Sequence, residues 1–306
     1  MEKEEVSQPV EINKIYHSDC VDFLRKINDE SVDACITDPP YWGVVEDEWD
    51  NQWKDINEYK NWCETWIKEV ARVTKKSASF FIFGYSYQLS HLLPIIESYG
   101  FKFRQQIVIW KGMKSAAGRV SSKLKMFPTT TEYIHYFVKD STNYIRDLLQ
   151  ERALEKKLTP KEINEFLGKA SNGGGTWSSI AGKKQKTLQE PTKEDWEKLE
   201  LLLGNLPSYE DIVYTFNLPM GVTDVFDDIK FYFPKGEKLH TTQKPIELMN
   251  RIVECSSNKG DLILDPFMGS ASTAISCKIL SRNYIGCELD DNYFQICVER
   301  LKNEYK

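Results

Sequence analysis

The feature that most restricts how this chain can fold is a rhythm shared by its two ends. Short apolar runs feed longer amphipathic ones, the pattern of strands and crossover helices in a parallel sheet. Near the N-terminus, residues 14–18, 32–37, 79–83 and 106–110 read as strands. Between them, residues 57–74 have helical spacing, with Tyr59, Trp62, Trp66, Ile67, Val70 and Val73 on one stripe that core packing explains. At the other end, Pro245 opens a helix that carries Leu248, Ile252 and Val253 and stops at Ser256-Ser257-Asn258. Strand 261–265, helix 270–280, strand 284–287 and helix 291–301 follow.

The middle breaks the rhythm. Thr159-Pro160-Lys161-Glu162 is a capping box with proline at the first helical position, ahead of Ile163, Phe166 and Leu167. Thr192 precedes a helix with Trp196, Leu199 and Leu203, and Ser208 one with Ile212 and Val213. A helical insertion therefore interrupts an α/β domain. Its segment 158–168, the glycine-rich turn at 173–175 and residues 176–180 with Lys183 and Lys184 resemble a helix-turn-helix with a basic trailing segment, although core helices joined by a loop are the simpler reading.

Charge follows the same division. The chain has 40 Lys and Arg against 46 Asp and Glu, a net charge of −6, so the total gives no hint of a polyanionic partner. Yet residues 111–240 hold 20 basic and 18 acidic residues, a net of +2, which leaves −8 on the flanks. Residues 102–139 alone carry eight cations (Lys102, Arg104, Lys111, Lys114, Arg119, Lys123, Lys125 and Lys139) against Glu132. Such an excess reads either as a solvated face or as a surface that tracks phosphates. No run of about 18 apolar residues marks a membrane span, and the acidic, polar start is unlike a secretory signal, so a cytoplasmic protein is expected. The seven cysteines form no C-x-x-C pair and have no histidine cluster beside them, which argues for reduced, buried thiols and against a metal.

The chemistry concentrates in two loops. Thr37-Asp38-Pro39-Pro40-Tyr41 leaves the carboxyl end of strand 32–37, the edge where open α/β sheets bind ligands. The two prolines fix φ and remove two donors, Asp38 adds a carboxylate, and Tyr41 adds a planar face. The set suits a flat group bearing an amine. An exocyclic base amine is a poor nucleophile, because its lone pair is delocalised into the ring. If Asp38 and the Pro39 carbonyl each accept one amine hydrogen, the nitrogen becomes more tetrahedral and its lone pair can face a methyl donor. Extruding that base from a duplex costs a few kcal/mol.

The second loop, Asp265-Pro266-Phe267-Met268-Gly269-Ser270, runs from strand into helix, where a glycine lets a cofactor approach backbone. Glu288 lies after the next strand, placed to accept from ribose hydroxyls. The full dinucleotide fingerprint is missing, which favours a cofactor without pyrophosphate.

Together with His240-Thr241-Thr242-Gln243-Lys244-Pro245, these loops resemble the S-adenosylmethionine-dependent DNA amino-methyltransferases, in the permuted "beta" order with D-P-P-Y ahead of F-x-G. The likeness covers roughly residues 12–111 and 238–303. It implies a Rossmann-like α/β fold with a mainly parallel sheet, a catalytic half at 10–111, a partly helical target-recognition insertion at 112–237 and a cofactor half at 238–306. It also implies roles. Asp38, Pro39, Pro40 and Tyr41 would hold the target base. Asp265, Pro266, Phe267, Gly269 and Ser270 would shape the methionine pocket, with Thr242 and Lys244 at its methionine end and His240 behind them. Glu288 would bind ribose, and Asp19 with Cys20 would border adenine. Lys111, Lys114, Arg119, Lys123, Lys125, Lys183 and Lys184 would meet duplex DNA.

One departure stands out: where the family usually has F-x-G-S-G-T, Ala271 occupies the second glycine position. The implied reaction is methylation of adenine N6, with cytosine N4 as the alternative, and a homodimer and a cognate restriction endonuclease are partners such an enzyme can take. An RNA or protein-amide methyltransferase and a catalytically dead DNA-binding regulator are the rival readings.

Overall fold

The computed structural model describes residues 10–42, 52–112, 125–169, 175–183, 185, 187–231 and 243–303. Their strands form one sheet: β1 (Lys14–His17), β2 (Val32–Thr37), β3 (Thr74–Gly84), β4 (Phe101–Trp110), β5 (Thr131–Lys139), β6 (Val225–Phe226), β7 (Leu262–Asp265) and β8 (Asn283–Glu288). Their order is β1-β8-β7-β2-β3-β5-β4-β6. Every pairing is parallel except those of β5, which runs against β3 and β4. The central strand β2 (VDACIT) is buried along almost its whole length, as a parallel strand covered on both faces requires.

Two apolar layers sandwich the sheet. On one face, α1 (Cys20–Leu24), α2 (Ile56–Val73) and α3 (Ser86–Ser98) bury Phe23, Tyr59, Trp66, Val70 and Leu92 against Phe80 and Ile82. The stripe expected on 57–74 is the buried face of α2, and Asp55 caps that helix by accepting from the Asn57 and Glu58 amides.

A separate helical unit follows β5: α4 (Thr142–Glu155), α5 (Pro160–Phe166), α6 (Gly175–Ala181), α7 (Lys193–Leu203) and α8 (Tyr209–Ile212). It has its own core around Ile145, Leu149, Ile163, Trp177, Trp196 and Leu199. The capping box at Thr159 is formed in both directions. On the opposite face of the sheet, α9 (Ile246–Ser256) and α10 (Ser272–Ile279) bury Leu248, Ile252, Val253 and Ala274 beside Ile36 and Ile263. The closing helix α11 (Asp291–Asn303) adds Cys297 to that layer.

The sheet is mainly parallel, as expected, and among its described strands β5 alone returns antiparallel. Within the span 112–237, expected to be partly helical, the helices run from α4 to α8, and β5 and β6 belong to the sheet. Among the described residues the unit holds five helices: start signals mark α5, α7 and α8, the helix-turn-helix likeness takes in α6, and α4 was not anticipated. Pro245 also precedes its helix as the N-cap instead of starting it. Hydrophobic alternation in β5 (TEYIHYFVK) is blurred by Glu132 and His135, which are buried polar residues at 2% and 5% exposure.

Ala271 resolves the departure in the second motif. It adopts φ 64°, ψ 24° at the N-cap of α10 and is fully buried. The left-handed conformation costs an L-residue about 1–2 kcal/mol, while its buried methyl contributes about 0.8 kcal/mol and glycine would lose further backbone entropy. The terms nearly cancel. Ala271→Gly is therefore expected to change unfolding free energy in urea by less than about 1 kcal/mol; a larger shift in either direction would contradict this balance.

Candidate active site

Parallel neighbours put the two chemical loops side by side. β2 and β7 pair directly, so Asp38 and Pro266 leave adjacent strand ends on the same edge of the sheet. The segments after β1 and β8 emerge on that edge too, because both strands run the same way. So does the start of the reversed strand β5.

A bond ties the half-sites together. Buried Asp265, the last residue of β7, accepts from Thr37 Oγ1 at 3.1 Å through Oδ1, and Thr37 is the last residue of β2. The same carboxylate accepts from the Phe267 amide (3.1 Å) and from Thr273 Oγ1 (2.5 Å), which pins the loop between β7 and α10. Burial pushes Asp265 up to about 7, although these three donors oppose the shift. Its role is to join the loops.

Between the loops lies a cavity of about 470 Å³, within the range of small-molecule sites. Asp38, Pro39, Pro40, Tyr41 and Lys244 line one part of it. Asp19, Cys20, Pro266, Phe267, Gly269, Ser270 and Glu288 line another. The residues quoted from three separate motifs thus share one chamber. Trp62 also lines it, 5.6 Å from the Phe267 ring, an aromatic wall that sequence spacing assigned to the core alone.

Several of these side chains build the wall as well as face it. Asp19 caps α1 by accepting from the Val21 and Asp22 amides at 2.8 and 3.2 Å. Glu288 accepts from Gly269 N at 2.8 Å and from Asp290 N at 2.9 Å, and burial raises its pKa against those bonds. Gly269 has φ 56°, the left-handed region that suits glycine. The carbonyl of buried Ser270 accepts from Arg300 at 2.5 Å. Tyr59 donates to the Pro40 carbonyl at 2.8 Å and so fixes the proline turn from α2.

The wall on the Asp38 side is a buried ionic cluster. Lys244, 7% exposed, donates to Asp38 Oδ2 at 2.6 Å and to the Tyr41 hydroxyl at 3.1 Å. It also meets Glu132 Oε1 at 2.8 Å. The Tyr41 hydroxyl is shared between Asp38 Oδ1 and Glu132 Oε1, the latter at 2.6 Å. Lys111 completes the set on Glu132 Oε2 at 3.0 Å. Burial raises Asp38, an effect that Lys244 moderates and Glu132 reinforces. Burial opposes ionisation of Glu132 too, but Lys244 and Lys111 together hold it well below the usual carboxylate range. Lys244 stays firmly charged because Asp38 and Glu132 outweigh its desolvation.

This arrangement changes three of the expected placements. Lys244 engages Asp38 where the motif implied the cofactor's methionine end. Lys111 points inward to Glu132 instead of outward to phosphate. The Tyr41 ring is 6% exposed and packs edge-on against Tyr85, with its centroid 5.4 Å away. Of the other cations, Lys102 pairs with Asp140 at 2.8 Å, Arg104 donates to Tyr214 at 2.6 Å, and Lys139 donates to the Thr74 carbonyl at 2.9 Å. Lys125 and Lys183 are exposed. Lys114, Arg119, Lys123, Lys184, His240 and Thr242 lie outside the described residues. Sequence reasoning gave Glu132 no role, since no motif surrounds it and its strand was not anticipated.

All seven cysteines are buried and unpaired, and burial pushes their thiols up, Cys255 to about 12. No cluster of three or more metal-binding side chains occurs among the described residues. No described helix is long and apolar enough to cross a membrane.

The sequence pattern of the DNA methylase family, whose members modify N6 or N4 amines, matches residues 32–299. The chain belongs to this family. Among curated relatives, this DNA methylase is 30% identical to the type II methyltransferase M1.MboII of Moraxella bovis over 285 residues, covering 93% of this chain and 94% of the relative. It is 26% identical to the type II methyltransferase M.HinfI of Haemophilus influenzae over 306 residues, covering 95% and 68%.

Solved structures agree on the fold of the methylase. The M1.HpyAVI–SAM complex superposes with a TM-score of 0.56 at 22% identity, covering 94% of this chain and 98% of that one. The cytosine-N4-specific PvuII DNA methyltransferase gives a TM-score of 0.58 at 15% identity, covering 96% and 87%. The Rossmann-like α/β architecture expected from the motifs is thus established.

Proposed function

We propose that the protein methylates adenine N6 at specific sites in duplex DNA, with S-adenosylmethionine as donor, as the modification half of a restriction-modification pair. The supporting observation is the shared chamber: a carboxylate-bearing proline turn faces the same cavity as the F-x-G loop, and Thr37–Asp265 holds them in register. The similarity to type II methyltransferases supports the restriction-modification setting. Asp38 in the first position of the turn supports adenine, because D-P-P-Y is the commoner form among adenine enzymes and S-P-P-Y among cytosine ones.

The chamber suits this cofactor. The Phe267 and Trp62 rings offer faces for a flat base, Glu288 and Asp19 offer carboxylates for hydroxyls, and Gly269 leaves backbone accessible. When bound, the cofactor supplies an electrophilic methyl group on sulfur. Around it, the protein's own groups do three things. Asp38 and the Pro39 carbonyl accept the two amine hydrogens and orient the nitrogen lone pair. The buried cluster holds Asp38 in place. Asp38 also stands beside the amine hydrogen that must depart, and its raised proton affinity suits it to accept that proton.

Incubating the protein with methyl-labelled S-adenosylmethionine and unmethylated genomic DNA, followed by nucleoside chromatography, tests this reading. N6-methyladenine is the expected product. N4-methylcytosine would overturn the base assignment, and label in tRNA or protein but not DNA would overturn the substrate class.

A further inference from the structure

Each oxygen of Asp38 already holds a donor where a substrate must reach it. Tyr41 donates to Oδ1 and Lys244 to Oδ2, so an amine hydrogen seeking this carboxylate meets two donors already in place. Carboxylate oxygens can accept more than one bond, but the phenol lies within the loop that has to receive the base. Moving these donors aside would open Asp38 to the amine.

Among the described residues, Glu132 is a further carboxylate in contact with both. Its Oε1 lies 2.6 Å from the Tyr41 oxygen and 2.8 Å from Lys244 Nζ, and Lys111 anchors Oε2 at 3.0 Å. A phenol has a single proton, so Tyr41 can donate to Asp38 or to Glu132 at a given moment, never to both at full strength. Resting on the reading above, we propose that Glu132 is a positioning residue that takes over the Tyr41 and Lys244 hydrogen bonds when the target amine docks, and so frees Asp38 to receive it. The exchange moves hydrogen bonds and breaks no covalent bond.

Its geometry favours a short stroke. All partners are within hydrogen-bond reach in the structure, so the transfer needs a rotation of the phenolic O–H and a small shift of a flexible ammonium. Glu132 itself is 2% exposed at the start of β5, held by a strand paired on both sides, and can serve as the fixed point. Charge balance within the cluster is preserved: Asp38 and Glu132 oppose Lys244 and Lys111 before and after the exchange.

Glu132→Gln tests the proposal, with single-turnover methyl transfer to unmethylated genomic DNA as the readout. The uncharged amide is a weaker acceptor, so Tyr41 and Lys244 should stay on Asp38 and the rate at neutral pH should fall about tenfold or more. The pH profile should change in a second way. The charged and titratable groups facing Asp38 are Tyr41 on its own loop, Lys244 ahead of α9, Glu132 on β5 with Lys111 behind it, and Asp265 on β7. Glu132 is among those that raise proton affinity at Asp38. Removing its charge should move the acid limb to lower pH even as the plateau drops.

S-adenosylmethionine affinity, read by calorimetry, should remain within about twofold, since Glu132 does not line the cavity. A wild-type rate, or a lower rate with an unmoved acid limb, would overturn the proposal. If Glu132→Gln does not fold, Glu132→Asp decides. It keeps the charge but withdraws the acceptor by one methylene, so a reduced rate with the wild-type acid limb is expected, and an unchanged rate overturns the idea. Absence of DNA methylation by the wild-type protein would instead refute the function on which the proposal rests.

Discussion

Asp38→Ala should lower the single-turnover rate of methyl transfer by about 10²–10³-fold, the scale seen when one preorganised polar contact to a reacting group is removed. Binding of S-adenosylmethionine and of duplex DNA should be largely spared, because the residue's work is done on the amine. Removing the carboxylate also leaves Lys244 with Glu132 as its remaining ion-pair partner, so the ammonium stays neutralised and the loop keeps its anchor. The wild-type pH profile should carry the matching signature. Burial raises Asp38, so activity should decline as pH falls through a range above that of an ordinary aspartate, and full activity should appear on the alkaline side. Full activity of Asp38→Ala would remove the carboxylate from the mechanism.

Gly286→Ala is expected to have the largest effect on stability. Gly286 lies on β8 opposite Asp265, and a methyl there would sit 2.2 Å from the Asp265 carbonyl oxygen and 2.3 Å from Met268 Cε. The methionine can turn aside; the carbonyl belongs to the strand and cannot. Either β7 and β8 separate or the loop 265–269 shifts, at a cost of about 2–3 kcal/mol. The loop carries Phe267 and Gly269, so cofactor affinity should fall together with the urea midpoint. Wild-type values for both would show that the close approach of strand and loop is not required. A loss of stability without a loss of affinity would show that the loop can move without harming the chamber.

Much of this architecture could be read from residue order, for identifiable reasons. β2, β7 and β8 are short apolar runs with abrupt ends, and α2 has a wide stripe and an Asp55 cap, so local signals and tertiary packing agree. The two chemical loops were recognisable because proline, glycine and a carboxylate at fixed spacing have few alternative uses. β5 escaped notice because its buried Glu132 and His135 interrupt the apolar alternation, and those polar residues make sense only beside Lys244, Lys111 and Gln106, which are remote in sequence. The same holds for Lys111. A positive residue among other positive residues reads as a surface contact until its partner is known, and its partner lies 21 positions away on the neighbouring strand. α4 needed the helical unit's own core to be seen, since its side chains pack with Trp177 and Trp196 and not on the sheet.

The Thr37–Asp265 bond joins residues 228 positions apart across neighbouring strands. Chemistry of this kind is indifferent to the place where synthesis begins. A chain with its segments in another order, but with these strands in the same register, would hand the same two loops to the same two strands. Ancestral shuffling of segment order could thus pass through active intermediates, provided that each product retained this hydroxyl–carboxylate clasp.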